Sequence, residues 1–468
     1  MKKKILGSAA LVALAALSLS SCGGSASDEK TIVFYHTMGD NLQNVLETAV
    51  TTFETKYPGW KIEHSQVGGY DDVKKAIIGD LGAGTQPDIA YCYADHVAQY
   101  ITTGKVLNVA PYINSTENHE YVDANGETQS VAIGYTADEV SKFISGYYNE
   151  GYATNFANYD KYGYGATDML TMPYSKSTEV LYYNIDALIE LGYYTEENGV
   201  KTAKVPQTWA ELWEIAAAAK AKYPKSTPLG YDSEANWFIT MCEQNGWGYT
   251  SAQEPHYLFN NENTAGWLED LAEKFDAGLF TTKTIYNGAY TSNLFKKGAA
   301  EGSIFVIGSS GGASNQATTL FKWGVAPCPG SEVNGKVNST AISQGPNLCL
   351  FKSESSNAEE KQIMTWLFVK ELLAPQFQCA FSMESGYNPM RVDAFEIDEY
   401  VEFLADKTNI KAVTANVAKD MADIYFTSPA FNGSSTARDQ VGSAFVYAVT
   451  GQKPAAKALK DAANACGA

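Results

Sequence analysis

Gly308-Ser309-Ser310-Gly311-Gly312 fits G-x-S-x-G, the spacing that lifts a serine onto a sharp turn as a nucleophile. Such a serine needs a base, and in hydrolases built on this turn the acid and the histidine follow it along the chain. All five histidines (His36, His64, His96, His119 and His256) precede Ser310. Hydrolysis is therefore the weaker reading. The stronger one is a glycine-rich turn in which Ser309, Ser310 and Gly311 present hydroxyls and N–H groups to a bound molecule. A tight turn that touches no ligand is the plain alternative.

Other residues suit recognition better than bond cleavage. Tyr70 follows Gly68-Gly69, and its ring and hydroxyl suit stacking and hydrogen bonding to a polyol. Tyr93 and Asp95 sit together, and a carboxylate accepts two hydroxyls. Asp95 could instead cap a helix beginning at His96. Tyr387 lies in "GYNP", where turn chemistry exposes it, and Arg391 follows close behind. His36 is a lone histidine after an apolar strand, where a purely structural role competes with ligand contact. "DANGE" (123–127) begins like a calcium loop, but nothing downstream completes the twelve-residue pattern. No metal or cofactor is expected.

The N-terminus bears on the compartment. Lys2, Lys3 and Lys4 precede an apolar run from Ile5 to Leu19, which ends in Leu19-Ser20-Ser21-Cys22-Gly23-Gly24. The run is short for a membrane span. Its flanks read as a secretory leader, residues 1–21, with a lipobox at Cys22 and a small-polar tether over 22–30. The expectation is a body held to a membrane by a lipid on Cys22. The net charge is −19, and the leader carries three lysines and no acid, so the mature body is more negative still. That disfavours nucleic acid and anionic headgroups as partners. The six remaining cysteines are scattered, with no C-x-x-C pair, so a zinc site is not expected. Disulfide connectivity is open, with Cys328–Cys349 one possibility.

These residues need a frame to bring them together. "KTIVFYH", "WKIEHSQV" and "PDIAYCY" read as strands. They alternate with amphipathic helices over 41–57, 70–81 and 95–103. That β-α-β-α order argues a mostly parallel sheet, whose ligands sit at the carboxyl ends of the strands. The loops "YHTMGD", "VGGYDD" and "CYADH" are those ends. About 440 residues exceed one core, so two lobes are expected.

The chain as a whole resembles the extracellular solute-binding proteins of ABC importers, in their carbohydrate-binding branch. The likeness rests on the lipobox, "FYHTMGD", "GTQPDIAYCYADHVAQYITTGKVLNVAPYI", "MPYSKSTEVLYYNIDAL", "PQTWAEL", "GAAEGSIFVIGSSGG" and "SGYNPMR", in register. It implies an α/β, two-lobed, type II flytrap like maltose-binding protein, with mixed sheets flanked by helices. It implies no catalysis, no cofactor, a small-molecule sugar or polyol as ligand, ABC permease subunits as partners, and a monomer in the bacterial cell envelope. Trp237 matches a cleft-lining tryptophan of the family, while Trp247 is expected to pack in the core. Ser177, inside the fourth motif, and Gly345 are further ligand candidates. The lobes are expected as 31–177 plus 304–343 and 178–303 plus 344–468, with crossings near Thr178, Ile304 and Ser343.

Within the family, Phe34 to Met38, Lys176 to Asn184 and Gly308 to Gly312 are most similar to the glycerol-3-phosphate and glycerophosphodiester branch. Two departures stand out. Ala94, not an acid, follows Tyr93, and Asp95 comes one place later. The slot for the branch's phosphate-gripping arginine holds Ala430 or a close neighbour, leaving Arg391 and Lys176 as possible substitutes. These departures favour a neutral mono- or oligosaccharide over a phosphate ester.

Overall fold

The computed structural model describes residues 28–467. The leader, Cys22 and most of the tether lie outside the described residues.

Twelve strands matter to the site. They are β1 (Thr31–His36), β2 (Lys61–Gln66), β3 (Ile89–Cys92), β4 (Met172–Pro173), β5 (Glu179–Asn184), β6 (Leu229–Tyr231), β7 (Phe280–Thr282), β8 (Phe305–Ser309), β9 (Trp323–Pro327), β10 (Ala341–Ile342), β11 (Asn347–Leu350) and β12 (Tyr425–Phe426). They form two five-stranded sheets in the orders β2-β1-β3-β11-β4 and β7-β6-β8-β5-β9, plus a short β10–β12 pair. Each sheet is mixed: β1 runs parallel to β2 and β3, and β11 antiparallel to β3.

The helices follow from local chemistry. In α1 (Asp40–Lys56), Leu46, Ala49, Val50 and Phe53 form the buried stripe. In α2 (Tyr70–Ala83), Val73, Ile77 and Leu81 do so, and Gly84 closes the helix at φ +77°. The short α3 (Ala94–Tyr100) follows β3. Thr208 and Glu211 form a capping box at the start of α4 (Trp209–Lys222), as "PQTWAEL" suggests. Next come α5 (Glu234–Asn245) and α6 (Glu262–Asp276), which pack in the second lobe, and α7 (Ala358–Leu372) and α8 (Pro375–Ser385), which pack on α1. Last are α9 (Ile410–Asp420), α10 (Ser434–Val449) and α11 (Ala455–Cys466), again in the second lobe.

Strand membership corrects the expected lobe boundaries. β8 and β9 belong to the second sheet, paired on either side of β5. β11 belongs to the first, between β3 and β4. The chain therefore does not cross near Ile304. It crosses after β4, again between β10 and β11, and a third time just before α9, since residues 390–404 still pack on the first lobe. Main-chain hydrogen bonds join the first two crossings, Ser177 with Gln344 at 2.9 and 2.8 Å, and tie the first to the loop after α8, Lys176 with Asn388 at 3.3 and 2.7 Å. A strand's apolar run records that it is buried, not which sheet receives it.

All six described cysteines are free thiols, so no Cys328–Cys349 bridge exists. Cys328 follows β9 in the second sheet, whereas Cys349 lies in β11 of the first. Asp123 takes N–H bonds from Asn125 and Glu127, so "DANGE" is a hairpin turn. No cluster of three or more His, Cys, Asp or Glu among the described residues could hold a metal ion. No helix among them is long and apolar enough to cross a membrane.

Candidate functional site, a cleft between the two sheets

The carboxyl ends of the first sheet do converge. Tyr70, at the start of α2, stacks on Tyr93, with ring centroids 4.3 Å apart and planes 29° apart. Thr37, from the loop after β1, hydrogen-bonds the Tyr70 hydroxyl, and Tyr387 reaches the same hydroxyl from the loop after α8. The Tyr387 ring also lies against Gly311, where a Cβ would come within 2.5 Å of it. Any larger residue at Gly311 would push that ring aside.

Two chambers open between the lobes. The smaller, about 90 Å³, is lined by Tyr93, Asp95, Glu150, Lys176, Tyr249, Gln344, Gly345, Asn347, Ser428 and Arg438, among others. The larger, about 460 Å³, is lined by Glu179, Asp232, Asn236, Lys283, Tyr290, Ser309, Gly311, Gln344 and Tyr387, among others. Its size suits a small-molecule ligand. Gln344 lines both. Gly345 holds φ +98°, and a Cβ there would meet the Ser175 carbonyl at 2.1 Å, so only glycine fits this crossing.

The cations of the small chamber face carboxylates. Lys176 pairs with Glu150, both side chains nearly buried. Arg438, on α10 of the second lobe, reaches Asp95 of the first at 3.7 Å and donates to Asn236 Oδ1 at 2.6 Å. Asn236 in turn donates to Glu179 Oε1 at 3.0 Å, and Tyr231 donates to Oε2 of the same carboxyl. Burial raises the Glu179 pKa to about 7 against these two bonds, and the nearby Asp232 adds to the rise. Asp232 accepts from the Thr291 N–H and hydroxyl at 2.8 and 2.7 Å, and burial raises its pKa too.

The structure thus brings Tyr93, Asp95, Ser309, Gly311, Gly345 and Tyr387 to the chamber walls, with Tyr70 stacked behind Tyr93. Asp95 lies inside the first turn of α3 and makes no cap bond, so the capping alternative is not realised. Ser177 sits at the hinge, its hydroxyl 3.5 Å from that of Ser309.

Four candidates lie elsewhere. Ser310 is fully buried; its Oγ accepts the Thr178 N–H at 3.1 Å, and its own N–H donates to Thr178 O at 2.8 Å. That hydroxyl ties β8 to β5 and is unavailable as a nucleophile or ligand donor. Trp237 is core: it stacks on Tyr231 at 4.6 Å and on Trp209 at 5.5 Å, because its neighbour Asn236 takes the cleft-facing position. Arg391 forks onto Asp393 at 2.9 and 2.6 Å and covers the Phe143 ring, away from both chambers. His36 is fully buried, and its Nδ1 accepts the Met38 N–H at 3.1 Å. The ring proton is therefore on Nε2, which donates to His64 Nδ1 at 2.9 Å. Burial, with His64 adding to it, lowers its pKa to about 3.

Sequence reasoning missed Glu179, Arg438, Gln344 and Asn347. Glu179 had a signal, as the one acid in the apolar run "TEVLYYN". Arg438 had one too, since it shares a helical face with Ser434 and Val441, both buried. Ala430, the expected arginine slot, is buried in the first lobe's core, where it pairs with Phe156.

Comparison with known proteins gives a consistent result. Residues 48–412 match the family model described as bacterial extracellular solute-binding protein. The chain is 22% identical over 393 residues to the sn-glycerol-3-phosphate-binding periplasmic protein UgpB of Escherichia coli K12, covering 80% of this chain and 77% of that one. Among solved structures it is similar to UgpB from Mycobacterium tuberculosis in complex with glycerophosphocholine, with TM-score 0.70, 15% identity, and 93% and 97% of the two chains covered. It is likewise similar to the GacH receptor of Streptomyces glaucescens GLA.O, with TM-score 0.69, 16% identity and the same coverage. Maltose-bound T. maritima MalE3 matches with TM-score 0.68, 16% identity, and 93% and 99% covered. At these identities the solved structures establish the fold, a two-lobed binding-protein architecture like that of maltose-binding protein. On the match over 48–412, the chain belongs to the bacterial extracellular solute-binding protein family.

Proposed function

We propose that this chain is a lipid-anchored, monomeric receptor that captures a neutral carbohydrate in its interlobe cleft and delivers it to the permease of an ABC importer. The charge pairing in the cleft carries the neutral reading. Lys176 and Arg438, the cations of the small chamber, already face Glu150 and Asp95. The large chamber sets Glu179 and Asp232 against Lys283, whose ammonium lies 4.0 Å over the Tyr290 ring. An anion arriving in the small chamber would have to break the buried Lys176–Glu150 pair and strand its carboxylate, and one in the large chamber would meet Glu179 and Asp232 beside the single Lys283. Hydroxyls can join these carboxylates, and Tyr93 and Tyr387 offer faces to C–H surface.

The second reading is a glycerol-3-phosphate or glycerophosphodiester receptor. Besides the likeness to UgpB, it is favoured by Arg438, which a phosphate oxygen could take from Asp95. Calorimetry separates the two. A neutral saccharide is expected to bind at least tenfold tighter than glycerol-3-phosphate, about 1.4 kcal/mol. Micromolar binding of glycerol-3-phosphate or glycerophosphocholine, with no response to any sugar, would install the second reading.

The anchor is tested separately. Cys22→Ser is expected to move the protein from the membrane to the soluble fraction with unchanged ligand affinity. Continued membrane retention of that variant would sink the lipid-anchor proposal.

A further inference from the structure

Resting on the carbohydrate reading, we propose that the ligand is a saccharide of at least two units, lying across both chambers past Gln344, with the small chamber reading the hydroxyls of one unit. Four buried polar atoms on the walls of that chamber have no hydrogen-bond partner: Asp95 Oδ1, Tyr249 OH, Asn347 Oδ1 and Ser428 Oγ. Asp95 Oδ1 comes no nearer than 3.9 Å to His96 Nε2. Unpaired buried groups are rare in native proteins, and four around one cavity mark a place where the partner arrives from outside.

Their chemistry limits that partner. Asp95 Oδ1 and Asn347 Oδ1 only accept, so the visitor must bring at least two donors. Neighbouring sugar hydroxyls do so and can accept from Tyr249 and Ser428 in return. A phosphate oxygen brings no donor and meets the Asp95 carboxylate.

Size sets the number of units. About 90 Å³ holds several waters, the space of one sugar unit at most. A single unit there leaves Asp232, Tyr290 and Tyr387 of the larger chamber out of reach. A second unit, passing Gln344, reaches them. Hinge hydrogen bonds fix the Gln344 backbone to Ser177, so the passage keeps its position.

The test is calorimetry over three series: glucose, maltose and maltotriose; galactose, lactose and raffinose; xylose, xylobiose and xylotriose. In the series that binds, affinity is expected to rise at least a hundredfold from one unit to two. Tyr249→Phe should weaken the best binder three- to tenfold while leaving the melting temperature of the free protein unchanged, since that hydroxyl has no partner to lose. A monosaccharide binding within fivefold of its own oligomers overturns the proposal. So does a Tyr249→Phe protein that melts lower but binds like wild type. If every sugar fails and glycerol-3-phosphate binds, the carbohydrate reading falls, and this inference with it.

Discussion

Trp237→Ala is expected to cost about 3–5 kcal/mol of stability, the range for emptying a large aromatic site in a packed core. The side chain is 1% exposed. Its ring is nearly parallel to that of Tyr231, 12° apart, and Trp209, Trp213, Phe280 and Phe445 surround the rest. The expected signature is a large fall in the denaturation midpoint, with ligand affinity little changed under conditions where the variant is folded. A loss below 1 kcal/mol accompanied by lost sugar binding would return Trp237 to the cleft and overturn its placement in the core.

Acid is expected to weaken the fold through His36. Its pKa is about 3 when folded and near 6.5 when the chain is unfolded. Between those values the unfolded chain binds a proton that the folded one refuses, so stability falls as pH falls. The slope is about 1.4 kcal/mol per pH unit, or about 3 kcal/mol from pH 6.5 to 4. Glu179 acts in the opposite direction. Its raised pKa means that stability falls as pH rises from about 4.5 to about 7. The two contributions nearly cancel between 4.5 and 6.5, so the wild-type curve alone hides both. The stability difference between wild type and His36→Gln isolates the histidine, since packing losses are constant with pH. That difference should shrink steadily as pH drops from 7 to 4. Parallel curves for the two proteins across that range would refute the assignment.

Much of the frame was legible locally. Alternation placed β1, the short apolar run Ile89–Cys92 placed β3, and the stripe at Leu46, Ala49, Val50 and Phe53 placed α1, because burial of one face or of both imposes the pattern of the element. The capping box of Thr208 and Glu211 is a local signal for the start of α4. Tyr93, Asp95, Gly311 and Tyr387 were legible as cleft-lining candidates, because strand ends and glycine turns face clefts in sheets of this kind. Leu42 and Val45, on the same apolar face of α1, are only half-buried, so the stripe is narrower than the helical period allows.

What the sequence determined by itself is therefore the local elements, the acidic surface and the residue types suited to a polyol. Only the tertiary structure decided their partners. Ser310 sits in a turn whose letters promise an exposed hydroxyl, yet pairing of β8 with β5 buries it under Thr178. Arg391 could fork onto a ligand or onto an acid, and the structure gives it to Asp393, two residues on. Arg438 lies 343 positions beyond Asp95, and nothing local joins them. They meet because α3 and α10 approach from opposite lobes, and an ion pair depends on separation in space and on exclusion of water, neither of which a linear string contains.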